Sequence, residues 1–428
     1  RRLRVNDAVD LRFTRPADCH ALPLDAGIGL AALQRSTSGC DLRDPQQHAS
    51  ALLRWTFDLE PGRPVTIGVE APLSAGAPAT ATSDLDVAQV DRRFAAATDA
   101  WRQRLGGVAL DGPAEVKVLH HTLRTSLAHL LMSRDGPALR PGTRSYARTW
   151  IRDGAMMASA LVRVSEVAVA REFIDWFAGY LFTSGKVPCC VDARGADPVV
   201  ENDSHGQYLF AVAEVWRATG DKAWAARHWP AVQRTVAWLE GLRQSQRTDA
   251  QRQPDAAHRF GLLPPSISHE GYSDKPAYAL WDDFWALRGL RDAVQLAQAQ
   301  GEHETAARWA GWRDEFEREL AAAVMASARV HGVNHVVGAA DRGDFDATST
   351  TVALDPAQAD VPSALLAATF ERYAAEADAR AEGRRNWVDY TPYEWRNVGA
   401  LVRVGQVAAA HRLMRFLMRD RRPPGWNQ

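Results

Sequence analysis

Five short polar segments head otherwise apolar stretches: "TWIRDG" (149–154), "ENDSHGQ" (201–207), "SHEGYSDKPAYALWDDFW" (268–285), "DATSTT" (346–351) and "YTPYEW" (390–395). Each mixes residue types that do chemistry. Paired carboxylates supply general acid and base, a guanidinium offers a planar fork of donors to neighbouring hydroxyls, and indole or phenol rings stack on apolar ring faces. Helix capping is the competing explanation, because Asp153, Ser204 and Asp282 can bond first-turn amides or complement the helix dipole. A cap needs one short polar residue, however, and not Trp, Arg, His and Tyr as well.

The elements that must carry these segments are helices of two alternating kinds. "EVKVLHHTLRTSLAHLLMS" sets Val116, Leu119, Leu123, Leu127 and Leu130 on one stripe, whereas "RDGAMMASALVRV" and "YLFAVAEVWRATG" are apolar nearly all round. A striped helix covers a core and an apolar one is buried on every side, so their alternation predicts two concentric rings of helical hairpins. Eleven helices are expected from Glu115 onward. A closed ring of six hairpins needs twelve, and the expected last helix is not in the chain. With the buried helices parallel, the five polar heads meet at one end as a concave, Trp-lined mouth, the default place for a ligand.

The fold class expected is therefore mainly α, an (α/α)6 toroid preceded by a short β-rich segment. In residues 51–73, "ALLRWTFDLEPGRPVTIGVEAPL" alternates, breaks at Pro61-Gly62 and alternates again, as strands joined by a turn do. The expected division is 1–83 as the remnant of a β-sandwich and its linker, 84–110 as a linker helix, and 111–428 as the barrel.

Fifty-one basic residues against fifty-two acidic ones give a net charge of −1, which excludes the electrostatic footprint of a nucleic-acid binder. No apolar run is long enough for membrane insertion. Four cysteines lack zinc-site spacing, and for Cys19 and Cys40 free buried thiols are favoured over a pair. The chain carries no signal peptide, and a periplasmic or extracellular setting is slightly favoured over others. No cofactor and no metal are expected: "DRGDFD" (341–346) reads as a turn, without the full calcium-loop pattern, and His120-His121 reads as surface.

"TWIRD" resembles the Trp-x-Arg-Asp element of glucoamylase-type enzymes, the six-hairpin glycosidases of glycoside hydrolase family 15 and its relatives. "ENDSHGQYLFAVAEVWRATGD" is similar to the fourth-helix element of bacterial relatives, in which an Asp and a nearby Gly face the pocket. The likeness covers roughly residues 85–428. It implies an exo-acting, inverting hydrolase that releases an α-linked glucosyl or related sugar from a chain end, with an oligosaccharide or glycoside as partner. By position it makes Glu270 the general acid, with Glu201 as the alternative. The family's base lies in a loop where this chain stops, so Glu394 is the fallback base. Trp150, Arg152, Asp153, Asp203, His205, Gln207, Trp281, Asp282, Asp283, Tyr393 and Trp395 are the candidate substrate contacts.

Two other readings stay open. A carbohydrate-binding or scaffold barrel without turnover fits a chain that lacks the base. A terpenoid-cyclase-like barrel would use Asp282-Asp283 on a metal, but it also needs a basic diphosphate pocket, and the polar heads offer only Arg152 and Lys275.

Overall fold

The computed structural model describes residues 1–420 apart from 6–8, 27–33, 35–38, 46–47, 73–84, 270, 389–390 and 392. Its contacts divide the chain into two units, Arg1–Gly106 and Gly107–Gln428. In the first, the alternating stretch does form strands, but they pair elsewhere. Strand β4 (Ser50–Arg54) runs antiparallel to β3 (Asp18–Leu22), whereas β5 (Val69–Glu70) joins β2 (Val9–Phe13), which in turn pairs with β1 (Arg2–Val5). Pro61-Gly62 is a turn as expected, with Gly62 at φ 77°.

The free-thiol expectation for Cys19 and Cys40 is corrected. The segment after β3 returns Cys40 to a Cα–Cα distance of 5.5 Å from Cys19, and the two form a disulfide. Helix α1 (Val87–Leu105) opens with a capping box between Asp86 and Gln89. It abuts the strand segment where Gly68 leaves room: a Cβ there would sit 2.6 Å from Val90 Cγ2.

The second unit holds eleven α-helices among the described residues, beginning at Ala114, in the two kinds expected. The inner set is α3 (Ile151–Arg163), α5 (Asp203–Thr219), α7 (Leu280–Ala299), α9 (Ala347–Leu354) and α11 (Glu394–Arg403), the last buried on one face only. The covering set is α2 (Ala114–Met132), α4 (Val167–Phe177), α6 (Lys222–Ser245), α8 (His303–Val330), α10 (Ser363–Ala381) and α12 (Val407–Leu417). Successive buried helices pack side by side, α3 on α5, α5 on α7, α7 on α9 and α9 on α11. The architecture is an α-helical barrel with a small β-rich segment ahead of it. No helix among the described residues is long and apolar enough to cross a membrane.

The tightest seam lies between α5 and α7. A Cβ on Gly206 would stand 2.0 Å from the Trp285 carbonyl oxygen, and one on Gly289 would stand 2.6 Å from Gly206 Cα, so the two backbones touch. The expectation that this glycine faces the pocket is therefore corrected: Gly206 faces α7, because only an absent side chain permits that approach. At the far ends of the buried helices, Ser159 and Arg217 donate to Glu214 at 2.7 and 2.8 Å. Arg217 and Arg288 then share Asp292, both at 2.8 Å, and Arg288 reaches the Pro356 carbonyl just after α9. Charges buried this way hold only as a set, since removing one partner strands the others.

Candidate active site

The heads of the buried helices decide between capping and a site. Helices α3, α5 and α7 begin at Trp150, Asn202 and Ala279 with no side-chain cap bond. The first-turn acids of α5 and α7, Asp203, Asp282 and Asp283, are engaged elsewhere. Only α9 has a capping acid among the buried helices, Asp346 accepting from the Ser349 amide at 2.9 Å.

Helix α3 is aimed by a short strand. Thr149–Trp150 (β6) pairs with Cys190–Asp192 (β7), and the Ile151 amide donates to the Cys189 carbonyl at 2.9 Å. Trp150 packs on Cys189 and Cys190, with the Arg148 guanidinium 5.4 Å from its ring centroid. It is thus buried as a brace for the strand. This places Arg152 at the centre: its Nη1 donates to Glu201 at 2.6 Å and stands 3.5 Å from Asp203. Burial alone would weaken the Arg152 charge, but the fields of Asp203 and Glu201 outweigh it and hold the guanidinium protonated.

Asp203 joins three helices. Its Oδ2 accepts from Trp281 Nε1 and Gln207 Nε2, each at 2.8 Å, as well as facing Arg152. Asp153, beside Arg152, has its pKa raised by burial, partly offset by Arg152 and Arg396.

A second arc comes from later segments. The His269 ring meets Trp281 edge-on at 5.1 Å, and its Nε2 lies 3.1 Å from Ser349 Oγ. Because Ser349 gives its proton to Asp346, its oxygen is the acceptor and His269 the donor. Burial lowers the His269 pKa, with Asp346 opposing it. Arg396 lies 5.1 Å from the Trp281 centroid and 4.3 Å from that of Tyr393.

Several expected contacts are not brought to this cluster. Asp282 and Asp283 diverge: Asp282 accepts from Ser266 and Ser268 at 2.6 and 2.7 Å, whereas Asp283 accepts from the Leu263 amide at 2.8 Å. Burial pushes both carboxyls well up, Asp282 with help from the charge of Asp203. They do not form the acidic metal pair that a cyclase needs. His205 bonds the Asn202 carbonyl and stacks near Trp238, with its pKa driven to about 4 by burial. Trp395 lines a cavity of about 380 Å³ with Met156, Arg163, Arg403 and its neighbour Arg396. Glu394 is buried between α10 and α11, accepting from the Tyr373 hydroxyl, and burial raises its pKa. Glu201 gives its carboxylate to Arg152 and so is placed for binding more than for proton donation. Glu270 lies outside the described residues.

Arg396 and His269 are the contributors that sequence reasoning passed over, whereas Asp346 and Ser349 belong to the polar head "DATSTT" without having been singled out. A usable signal existed for Arg396, a cation in the first turn of a helix that buries one face. Among the described residues, the atoms close enough to share a metal ion are those of Cys189, Cys190 and Asp197, within 4.8 Å of one another. Asp197 already accepts from Arg148 at 2.6 Å, and the Cys190 hydrogen bond and burial keep the Cys189 thiol protonated.

Three solved structures share this arrangement of helices. A glycosidase variant matches with 19% sequence identity and a TM-score of 0.55, covering 74% of this chain and 87% of its own. The wild-type glycosidase gives 18% and 0.53, and another variant, in complex with glucose, gives 19% and 0.53, both over the same shares of the two chains. The chain shares the fold of these glycosidases. At these identities the likeness is one of architecture. It agrees with the six-hairpin resemblance carried by "TWIRD". No protein-family model and no curated protein matches the sequence.

Proposed function

We propose that the protein is a glycoside hydrolase, exo-acting and inverting, that releases an α-linked glucosyl or related sugar from a chain end. The observation that carries this is the joining of Arg152, Asp203, Gln207 and Trp281 from three buried helices at one mouth of a glycosidase-fold barrel. Sugar hydroxyls both donate and accept, so a pocket that binds them pairs guanidinium forks with carboxylates beside an aromatic wall. Arg152 with Asp153 on one side, and Arg396 with Tyr393 and Trp281 on the other, supply that set.

Inversion requires a protonated carboxyl at the leaving oxygen and a carboxylate that activates water from the opposite face, about 6.5–9.5 Å away. Glu270 is the proton donor in this reading. It directly follows His269, whose ring sits against Trp281 in the site. Glu394 is the fallback base in this reading, although it lies against the Tyr373 hydroxyl and outside the cluster; burial raises its pKa.

The test is proton NMR of the anomeric region during incubation with a panel of α-linked disaccharides. Release of a β-configured terminal sugar is expected. An α-configured product would overturn inversion, and binding without any release would leave a sugar-binding barrel.

A further inference from the structure

Arg396 differs from the other arginine of the site. Arg152 is matched by Glu201 and Asp203, but among the described residues Arg396 has no carboxylate within ion-pair distance. Among the described residues its side chain donates from Nη2 to Met156 Sδ at 3.3 Å, and a thioether is a weak acceptor. The residue is half-buried, and desolvation lowers its pKa while Tyr393 and Asp153 resist the shift. Taking guanidinium donors partly out of water against so weak an acceptor is unfavourable unless something else supplies the oxygens.

The aromatic neighbours define what that something is. Trp281 and Tyr393 occupy ring positions over the guanidinium, 5.1 and 4.3 Å from its central carbon, so its edge is the part open to a ligand. An edge of parallel N–H groups is matched by two oxygens a short distance apart. A carboxylate and a vicinal diol both offer that. The surroundings favour the diol: Asp153 and Asp346 already act on Arg396 through space, and a third negative group would meet their repulsion.

We propose that Arg396 is a specificity-determining residue that reads two adjacent, uncharged hydroxyls of the bound sugar. The inference rests on the glycosidase reading above and adds a substrate class, neutral glycosides with an intact diol, over uronic acids and deoxy sugars.

Binding of methyl α-glucoside, its monodeoxy derivatives and methyl α-glucuronide, followed by tryptophan fluorescence, tests this apart from turnover. The wild-type protein is expected to lose roughly 10- to 100-fold in affinity for two adjacent deoxy positions and for the glucuronide. In Arg396→Met the parent sugar should bind as weakly as those deoxy forms, so the contrast vanishes. Arg396→Lys should keep the fold and restore little of the contrast, because an ammonium lacks the fork. Thermal unfolding of Arg396→Met should stay at or above the wild-type midpoint. A contrast that persists in Arg396→Met, or a large fall in its unfolding midpoint, overturns the assignment and leaves the glycosidase reading standing. If the wild type binds none of these sugars and hydrolyses no glycoside, the functional reading itself falls.

Discussion

Arg152 and Asp203 stand 3.5 Å apart, on the first turns of two different buried helices, with Glu201 completing the ion pair at 2.6 Å from Arg152. This contact converts two helix heads into one site. Arg152→Met leaves two buried carboxylates without their cation, and should destabilise the protein by about 3–5 kcal/mol. Arg152→Met combined with Glu201→Gln should be less destabilised than the single variant. Denaturant unfolding of the three proteins reads both values, and equal stability of the single variant and wild type would show that the pair contributes nothing.

Asp283 is buried with one oxygen on the Leu263 amide and the other without a hydrogen-bond partner among the described residues. Its folded pKa is raised by burial. For a carboxyl raised above its unfolded value, the folded state holds the proton more tightly. The stabilising contribution is then complete below about pH 4 and is lost as the pH rises through the folded pKa. Asp283→Asn removes that loss, and should stabilise the fold near neutral pH by roughly 1–3 kcal/mol while doing little in acid. Unfolding midpoints measured from acid to neutral pH should converge at the low end. A variant less stable than wild type near neutrality would contradict the burial argument.

Gly206 is fully occupied by the approach of α7. Gly206→Ala places a methyl 2.0 Å from the Trp285 carbonyl oxygen and must push the helices apart. The cost should be about 1–3 kcal/mol or more, and it should come with weaker sugar binding, because the Asp203–Trp281 bond crosses the same seam. Full affinity in a destabilised Gly206→Ala would uncouple the seam from the site.

Trp281 bonds Asp203 through Nε1 at 2.8 Å. Trp281→Phe keeps an aromatic wall but removes the donor, so kcat/KM should fall by roughly 10- to 100-fold at about 1–3 kcal/mol for an unmet bond to a buried carboxylate. An unchanged kcat/KM would show that Asp203 does not need this donor.

Much of the barrel was legible because burial leaves a periodic trace. The stripe of α2 and the nearly unbroken apolar run of α5 belong to different rings, and composition alone separates them. Arg152 and Asp203 were legible for the related reason that charge at the head of an apolar helix needs an explanation. What was not legible depends on direction in space. Asp282 and Asp283 are adjacent in sequence, but on a helix neighbours point about 100° apart, so one reaches Ser266 and Ser268 and the other Leu263. His205 turns to the Asn202 carbonyl for the same reason. The Cys19–Cys40 bond closes across a segment with no periodic pattern, so no sequence spacing announced it.

Hydrolysis of glycosides with Glu270 as proton donor is tested most directly by comparing wild type, Glu270→Gln and Glu394→Gln for sugar release and sugar binding in parallel. Glu270→Gln should lower kcat by about 10²- to 10⁴-fold, the range of a lost general acid, with affinity for the sugar kept. Glu394→Gln should lower kcat similarly and flatten the low-pH arm of the rate profile. Wild-type turnover in Glu270→Gln would exclude Glu270 as the proton donor.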